Sequence, residues 1–190
     1  IQQTQLFNDV KITVQQEDED HPEQRDVLIE VQEKNTGSFN FGVGFGSDSG
    51  VLGQISLIQN NFDIADLPRS WSEFISQRAF RGAGQQFAMA IQPGDEIFDY
   101  SINLREPHFL ESEYSLGGSA GYRQRVYEDY SEHRTSGDIS IGRRFGDVWT
   151  ANIGISQERV ELVDIEDGAP QEIYDDAGPT TLDSVGVTLK

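Results

Sequence analysis

Cysteine is absent from the 190-residue chain, which removes disulfides, thiolate metal sites and cysteine nucleophiles. Positive charge is scarce: 14 Lys and Arg stand against 33 Asp and Glu, a formal charge of −19. A surface of that sign repels the phosphate backbone, so nucleic acid is not expected as a partner. His21, His108 and His133 are far apart, and none has a second ligand at metal-site spacing. No metal and no cofactor is expected. Long hydrophobic runs are missing as well. Mean hydropathy is −0.52, and no stretch suits a membrane helix. A membrane-crossing β-strand needs only about 9–11 residues with alternate ones apolar, which averaged hydropathy passes over.

Signatures of catalysis are also lacking. No G-x-S-x-G stands at a strand-to-helix turn, and there is no G-x-x-x-x-G-K phosphate loop. Gly42, Gly44 and Gly46 look superficially like a dinucleotide loop, but no helical pattern follows and they fall on one strand face. Acids gather at Glu17 to Asp20, Glu128 and Asp129, Asp164 to Asp167, and Asp175 and Asp176. They suit either solvation or a loop that binds divalent cations, although Asp164 to Gly168 misses the EF-hand spacing. Asp164 and Glu166 lie in an apparent loop, without a rigid cleft to raise a carboxyl pKa. An enzyme is not expected.

What the chain does contain is alternation. From Ser38, Phe39, Phe41, Val43 and Phe45 interleave with Asn40, Gly42, Gly44 and Gly46. A period of two marks a strand with unlike faces. The pattern returns around 53–58, 86–92, 98–105, 114–123, 138–142, 149–156 and 182–190. Seven to eight strands are thus expected after Gly37, none with a helical period. Upstream, Val10, Ile12 and Val14 alternate with Lys11 and Thr13, and Val27, Ile29 and Val31 with Leu28 and Glu30, across a polar connector from Gln16 to Arg25. This reads as a hairpin, marginal by itself in water. Strand composition separates two architectures. A soluble β-sandwich, as in an adhesion or carbohydrate-binding module, buries one face of each strand and wets the other with charged residues. Here the polar faces are mostly Gly, Ser, Asn and Gln, which suits a crowded, water-filled barrel interior with the opposite faces in lipid. On composition both stay open.

The stretch Glu33-Lys34-Asn35-Thr36-Gly37-Ser38-Phe39-Asn40-Phe41-Gly42-Val43-Gly44-Phe45-Gly46-Ser47-Asp48-Ser49-Gly50-Val51 resembles a junction in the outer-membrane β-barrel assembly proteins, the BamA family. There a last periplasmic POTRA module ends and the first barrel strand begins. Leu104 to Phe109 is similar to a periplasmic turn of that family, and Ser115 to Gly118 to the strand start after it; Phe80-Arg81-Gly82 has the wrong order and place for the family's Arg-Gly-Phe loop. The resemblance implies a mainly β protein: residues 1–34 the C-terminal hairpin of an α/β POTRA module, 35–37 a linker, and 38–190 the N-terminal half, about eight strands, of an antiparallel transmembrane β-barrel. It implies sixteen strands in the whole barrel and an outer-membrane location in a diderm bacterium, with Ile1 to Lys34 in the periplasm. It also implies a role in inserting unfolded outer-membrane proteins, with accessory lipoproteins and the lipid bilayer as further partners. No signal peptide stands at Ile1, and a longer parent protein is expected.

Glycines weaken strand packing and leave the backbone approachable, and a poorly paired edge can accept another strand. The candidate client-binding site is therefore the backbone of Gly37, Ser38, Phe39, Asn40, Phe41, Gly42, Val43, Gly44, Phe45 and Gly46. Long acidic outer connections are expected at Val126 to Thr135 and Glu161 to Thr180, with short turns on the inner side. Asn61 to Gly84 breaks that rule and departs from the family, whose turn is short. In it, Trp71, Phe74, Ile75 and Phe80 are predicted on one face of an amphipathic helix capped by Ser70 with Glu73 three residues on. That helix rests either beneath the barrel at the inner leaflet or on the hairpin.

Overall fold

The structure, a computed structural model, describes residues 7–14, 26–47, 50–75, 79–146 and 148–190. The chain divides into two units, Ile1–Thr36 and Gly37–Lys190, each described by itself. In the first, β1 (Phe7–Val14) pairs antiparallel with β2 (Val27–Glu33). Val10 faces Val31, Ile12 faces Ile29 and Val14 faces Val27, so the apolar positions share a face as the alternation predicts. Ile12, Ile29 and Val31 are exposed. On the other face Lys11 Nζ lies 3.6 Å from Glu30, an exposed pair that adds little stability. The connector from Gln16 to Arg25 and the first six residues lie outside the described residues.

The second unit is one antiparallel sheet of eight strands in unbroken sequence order. These are β3 (Gly37–Gly46), β4 (Gly50–Phe62), β5 (Gln85–Gln92), β6 (Ile97–Glu106), β7 (Tyr114–Val126), β8 (Ser131–Phe145), β9 (Trp149–Val163) and β10 (Gly178–Leu189). Each pairs only with its neighbours in the chain, and β3 and β10 form the two edges. No hydrophobic side chain among the described residues is buried. A sandwich needs a dry core about 10 Å thick between two inner faces, and this single layer has none. The β-sandwich expectation is overturned.

Connections depart from expectation in two places. Strand β8 starts at Ser131, so the link from β7 is only Tyr127 to Tyr130, and not a long acidic loop through Thr135. Tyr127 N donates to Tyr130 O at 2.8 Å and the two rings stack at 4.7 Å; that closure lets the flanking strands run to the turn. Burial raises the Tyr130 pKa, Tyr127 and Glu132 add to the rise and Arg125 opposes it; the phenol is neutral at physiological pH. The link from β9 to β10, Asp164 to Ala177, is long and holds the short helix α2 (Gln171–Asp175). The longest connection, 63–84, lies at the opposite end of the sheet with the links 107–113 and 146–148. Its helix α1 covers only Trp71–Ile75, and residues 76–78 lie outside the described residues. Phe80, expected on the helix, is in the left-handed region at φ 57° and packs on the sheet.

Candidate functional site

Directly opposed residues of an antiparallel pair share a face, so the register fixes which side chains line each side of the sheet. One row runs Val187, Ile153, Ile141, Leu116 and Glu106. On that face lie Phe39, Phe41, Val43 and Phe45 of β3, opposed by Leu57, Ile55, Gly53 and Val51, and Met89, Ile102 and Ala120 of the middle strands. These side chains are open to the surroundings: Phe41 is 72% exposed and Val187 71%. The band they make does not follow a row. From β10 to β3 it slides by about seven to eight residues, which at ~3.3 Å per residue and ~4.8 Å between strands is a strand tilt of roughly 35–40°. Strands in membrane barrels tilt by about this amount.

Aromatic and cationic groups gather at the edges of the band. At the end carrying the 107–113 and 146–148 links, the Arg143 guanidinium sits 5.1 Å from the ring centres of both Tyr114 and Phe145, and Phe145 opposes Trp149. At the other end the rings of Phe98 and Tyr122 lie 6.3 Å apart, with His133 5.8 Å beyond. Aromatic girdles around an aliphatic belt are the pattern of a bilayer's two interfaces.

The opposite face is small and crowded. A β-carbon at Gly154 would meet Ser140 Cβ at 3.3 Å, whereas opposed Cβ atoms in an ordinary sheet are ~4.5–5.5 Å apart. A β-carbon at Gly121 would lie 3.0 Å from Ser136 Oγ, and one at Gly117 3.0 Å from Ser140 Oγ. Side chains converge on this side, as on the inside of a curled sheet. Ser56, Ala90, Ser101, Ser119 and Ser136 line a hollow of about 260 Å³ there. Ser119 donates to Asp138. Toward the acidic end, Arg123 pairs with Asp99 at 2.7 Å, and Arg134 bridges Glu158 at 2.8 Å and Glu132 at 3.2 Å.

The ten positions from Gly37 to Gly46 fall together on one strand, as expected. Every one pairs with β4, from Gly37 with Gln59 to Gly46 with Gly50, and no described strand lies along the other edge. On that edge alternate residues direct N–H and C=O groups away from β4. Asn40 Nδ2 donates to Ser56 Oγ at 3.2 Å. Gly42 and Gly44 are not in the left-handed region. A β-carbon would find nothing within 4 Å at Gly44, and only Gln54, at 3.8 Å or more, at Gly42. Neither turn geometry nor packing within the described chain calls for glycine at these two places.

The 63–84 connection is tied to the sheet at its base. Asn61 accepts from Gly82 N through its carbonyl at 3.0 Å and from Gly84 N through its side chain at 2.9 Å. Asp63 N donates to Phe80 O and Phe80 N to Asp66 O, at 3.0 and 2.8 Å. The Phe80 ring stacks on Phe62 at 5.5 Å, and Phe62 on Phe87 at 4.7 Å. Ser70 Oγ accepts from Glu73 N at 3.2 Å, as the capping spacing predicts. The Glu73 carboxylate accepts from Arg69 N at 2.8 Å, one residue earlier than in the usual box. Among the described residues no group of three or more His, Cys, Asp or Glu could hold a metal ion. Sequence reasoning missed Arg143 between its two rings, since its neighbours come from the ends of two strands.

Residues 79–189 match the model of the Omp85 superfamily domain. The chain belongs to the Omp85 superfamily. Among curated relatives, this Omp85 chain is 23% identical over 164 residues to an outer membrane protein assembly factor BamA of Neorickettsia risticii (strain Illinois), covering 85% of the chain and 20% of that protein. It is 39% identical over 61 residues to an outer membrane protein assembly factor BamA of Buchnera aphidicola subsp. Acyrthosiphon pisum (strain APS), covering 32% and 10%. The chain thus spans a fifth or less of the relatives it matches. A crystal structure of BamA from Haemophilus ducreyi lacking POTRA domains 1–3 superposes with a TM-score of 0.62 at 18% identity, over 98% of this chain and 35% of that one. This Omp85 chain is BamA-like, and its place is the outer membrane.

Proposed function

We propose that the chain takes part in assembling outer-membrane proteins, and that β3 is the strand on which an incoming client strand pairs. In this reading the eight-stranded sheet is part of a transmembrane barrel of sixteen strands. Its aromatic and aliphatic band lies in hydrocarbon, its Gly- and Ser-rich face lines a wet lumen, and residues 1–34 belong to a periplasmic POTRA module. Unfolded outer-membrane proteins are the clients and accessory lipoproteins the assisting partners. No covalent step is involved. Client strands exchange water for the outer backbone edge of β3 from Ser38 to Gly46 by β-augmentation.

One observation carries the reading. No described strand lies along the outer edge of β3, and the strand holds two glycines that neither backbone geometry nor packing among the described residues requires. Glycine in a strand interior costs about 0.5–1 kcal/mol relative to alanine, so the sequence keeps this strand weak where no contact among the described residues asks for it. Site-specific photo-crosslinking tests the idea in the native-length protein. A photoreactive side chain at Ser38 or Asn40 is expected to capture a client stalled during insertion. The same group at Ser101, inside the sheet, is expected to capture none. Equal capture at all three positions would refute pairing at β3.

A further inference from the structure

The 63–84 connection presents apolar side chains outward while its acids are occupied. Trp71 is 80% exposed, Leu67 66% and Ile64 55%. Asp63 Oδ1 accepts from Ala65 N at 2.9 Å, Asp66 Oδ2 accepts from Arg81 N at 3.4 Å, and Glu73 accepts from Arg69 N. The carboxylates thus serve the connection's own backbone. Through Phe80, Phe62 and Phe87 the connection is stacked onto the band-bearing face of the sheet. The exposed Arg69 lines a shallow hollow with Pro68, Trp71 and Phe80. The adjacent links at this end also expose large apolar groups, Leu110 and Val148. At the opposite end the four connections contain many acids and no Lys or Arg.

We infer that the 63–84 connection is an interfacial anchor: Leu67 and Trp71 lie among lipid headgroups and upper acyl chains of the leaflet at this end, with Arg69 reaching the phosphates. Lipid is the occupant because the exposed apolar surface continues the band through stacked rings and recurs along the row of links. A Trp and an Arg beside an apolar edge are the residues that settle at a membrane interface. This rests on the proposal that the band contacts hydrocarbon, and the test separates the two.

The 190 residues contain no cysteine, so, with any cysteine elsewhere in the native-length protein replaced by serine, single thiols can be introduced at Leu67, Ile102 and Asn103 and labelled with an environment-sensitive fluorophore. Leu67 and Asn103 are exposed, and Trp71→Cys repeats the first site independently. The labelled proteins are reconstituted in phosphatidylethanolamine–phosphatidylglycerol vesicles with quenchers placed near the headgroup, deep in the acyl chains, or in water. At Leu67 and Trp71 the headgroup-proximal quencher is expected to remove most of the emission and the deep one little. Ile102 should respond to the deep quencher and Asn103 only to the aqueous one. If Ile102 is quenched from lipid but the 67 and 71 probes only from water, the anchor is wrong and the membrane band stands. Probes at 67 and 71 shielded from both lipid and water would mark a protein contact, which also overturns the anchor. An Ile102 probe that no lipid quencher reaches overturns both.

Discussion

Replacing Gly44 by alanine isolates the backbone contribution of β3 to the proposed pairing with client strands. A β-carbon there has nothing within 4 Å, and the residue is not in the left-handed region. The substitution introduces no clash and no strain, and it leaves the aromatic band untouched. Its effect is to remove the conformational freedom that glycine brings to the opened strand, about 0.5–1 kcal/mol. Adding Gly42→Ala, where only Gln54 comes within 4 Å, doubles this to about 1–2 kcal/mol, a factor of about 5–30 in the population with β3 detached. Hydrogen exchange at the amides of β3 and β4 in proteoliposomes measures that population, and the rate of client insertion measures function. The double variant should exchange more slowly by this factor and insert clients more slowly as well. Slower exchange with unchanged insertion would refute the claim that opening of β3 limits assembly.

Elsewhere on the sheet the same change has the opposite sign. Gly154→Ala brings Cβ to 3.3 Å from Ser140 Cβ and 3.4 Å from Ile139 O; a loss of about 1–3 kcal/mol is expected by denaturant titration in detergent. Gly94→Ala faces Ile97 O at 2.8 Å and should lose a similar amount. Ile102→Lys puts a charge in the band and should cost about 2–4 kcal/mol in lipid, while Asn103→Lys, one residue along on the other face, should cost little; equal costs would remove the distinction between the faces. Asn61→Ala frees the amide of Gly84 and should cost about 1 kcal/mol, read as faster proteolysis within 63–84.

Strand positions were legible because alternation repeats eight times and the faces differ in kind: Phe, Ile and Leu against Gly, Ser and Asn. Strand ends were less so. The outer half of β8 reads Ser-Glu-His-Arg-Thr-Ser-Gly, polar on both sides, and only pairing with β7 and β9 makes it a strand. Hydrogen bonding to neighbours on both edges overrides such a weak pattern. Phe80 was misplaced for a related reason. Nine residues after Trp71 it would stand about 180° round a helix from that residue at ~100° per residue, so spacing alone gives it no place on the Trp71 face, and stacking on Phe62 holds it on the sheet. The crowding at Gly154 was invisible because it depends on which serine lies opposite. The candidate edge was legible from its glycines. That a β-carbon at Gly42 or Gly44 would crowd no described neighbour took the contacts to see.

Strict alternation along β3 also limits which alignments a docked strand can use. Phe39, Phe41, Val43 and Phe45 all point to one side, so a newcomer offset by one position would turn its own greasy residues toward water. Each large side chain so misplaced costs about 1.5–3 kcal/mol, and several together forbid half of all offsets. Sliding by two positions restores the match almost free of penalty. Under the proposed pairing, this edge would sort incoming strands by parity alone, and leave the choice among the permitted alignments to whatever fixes the newcomer's ends.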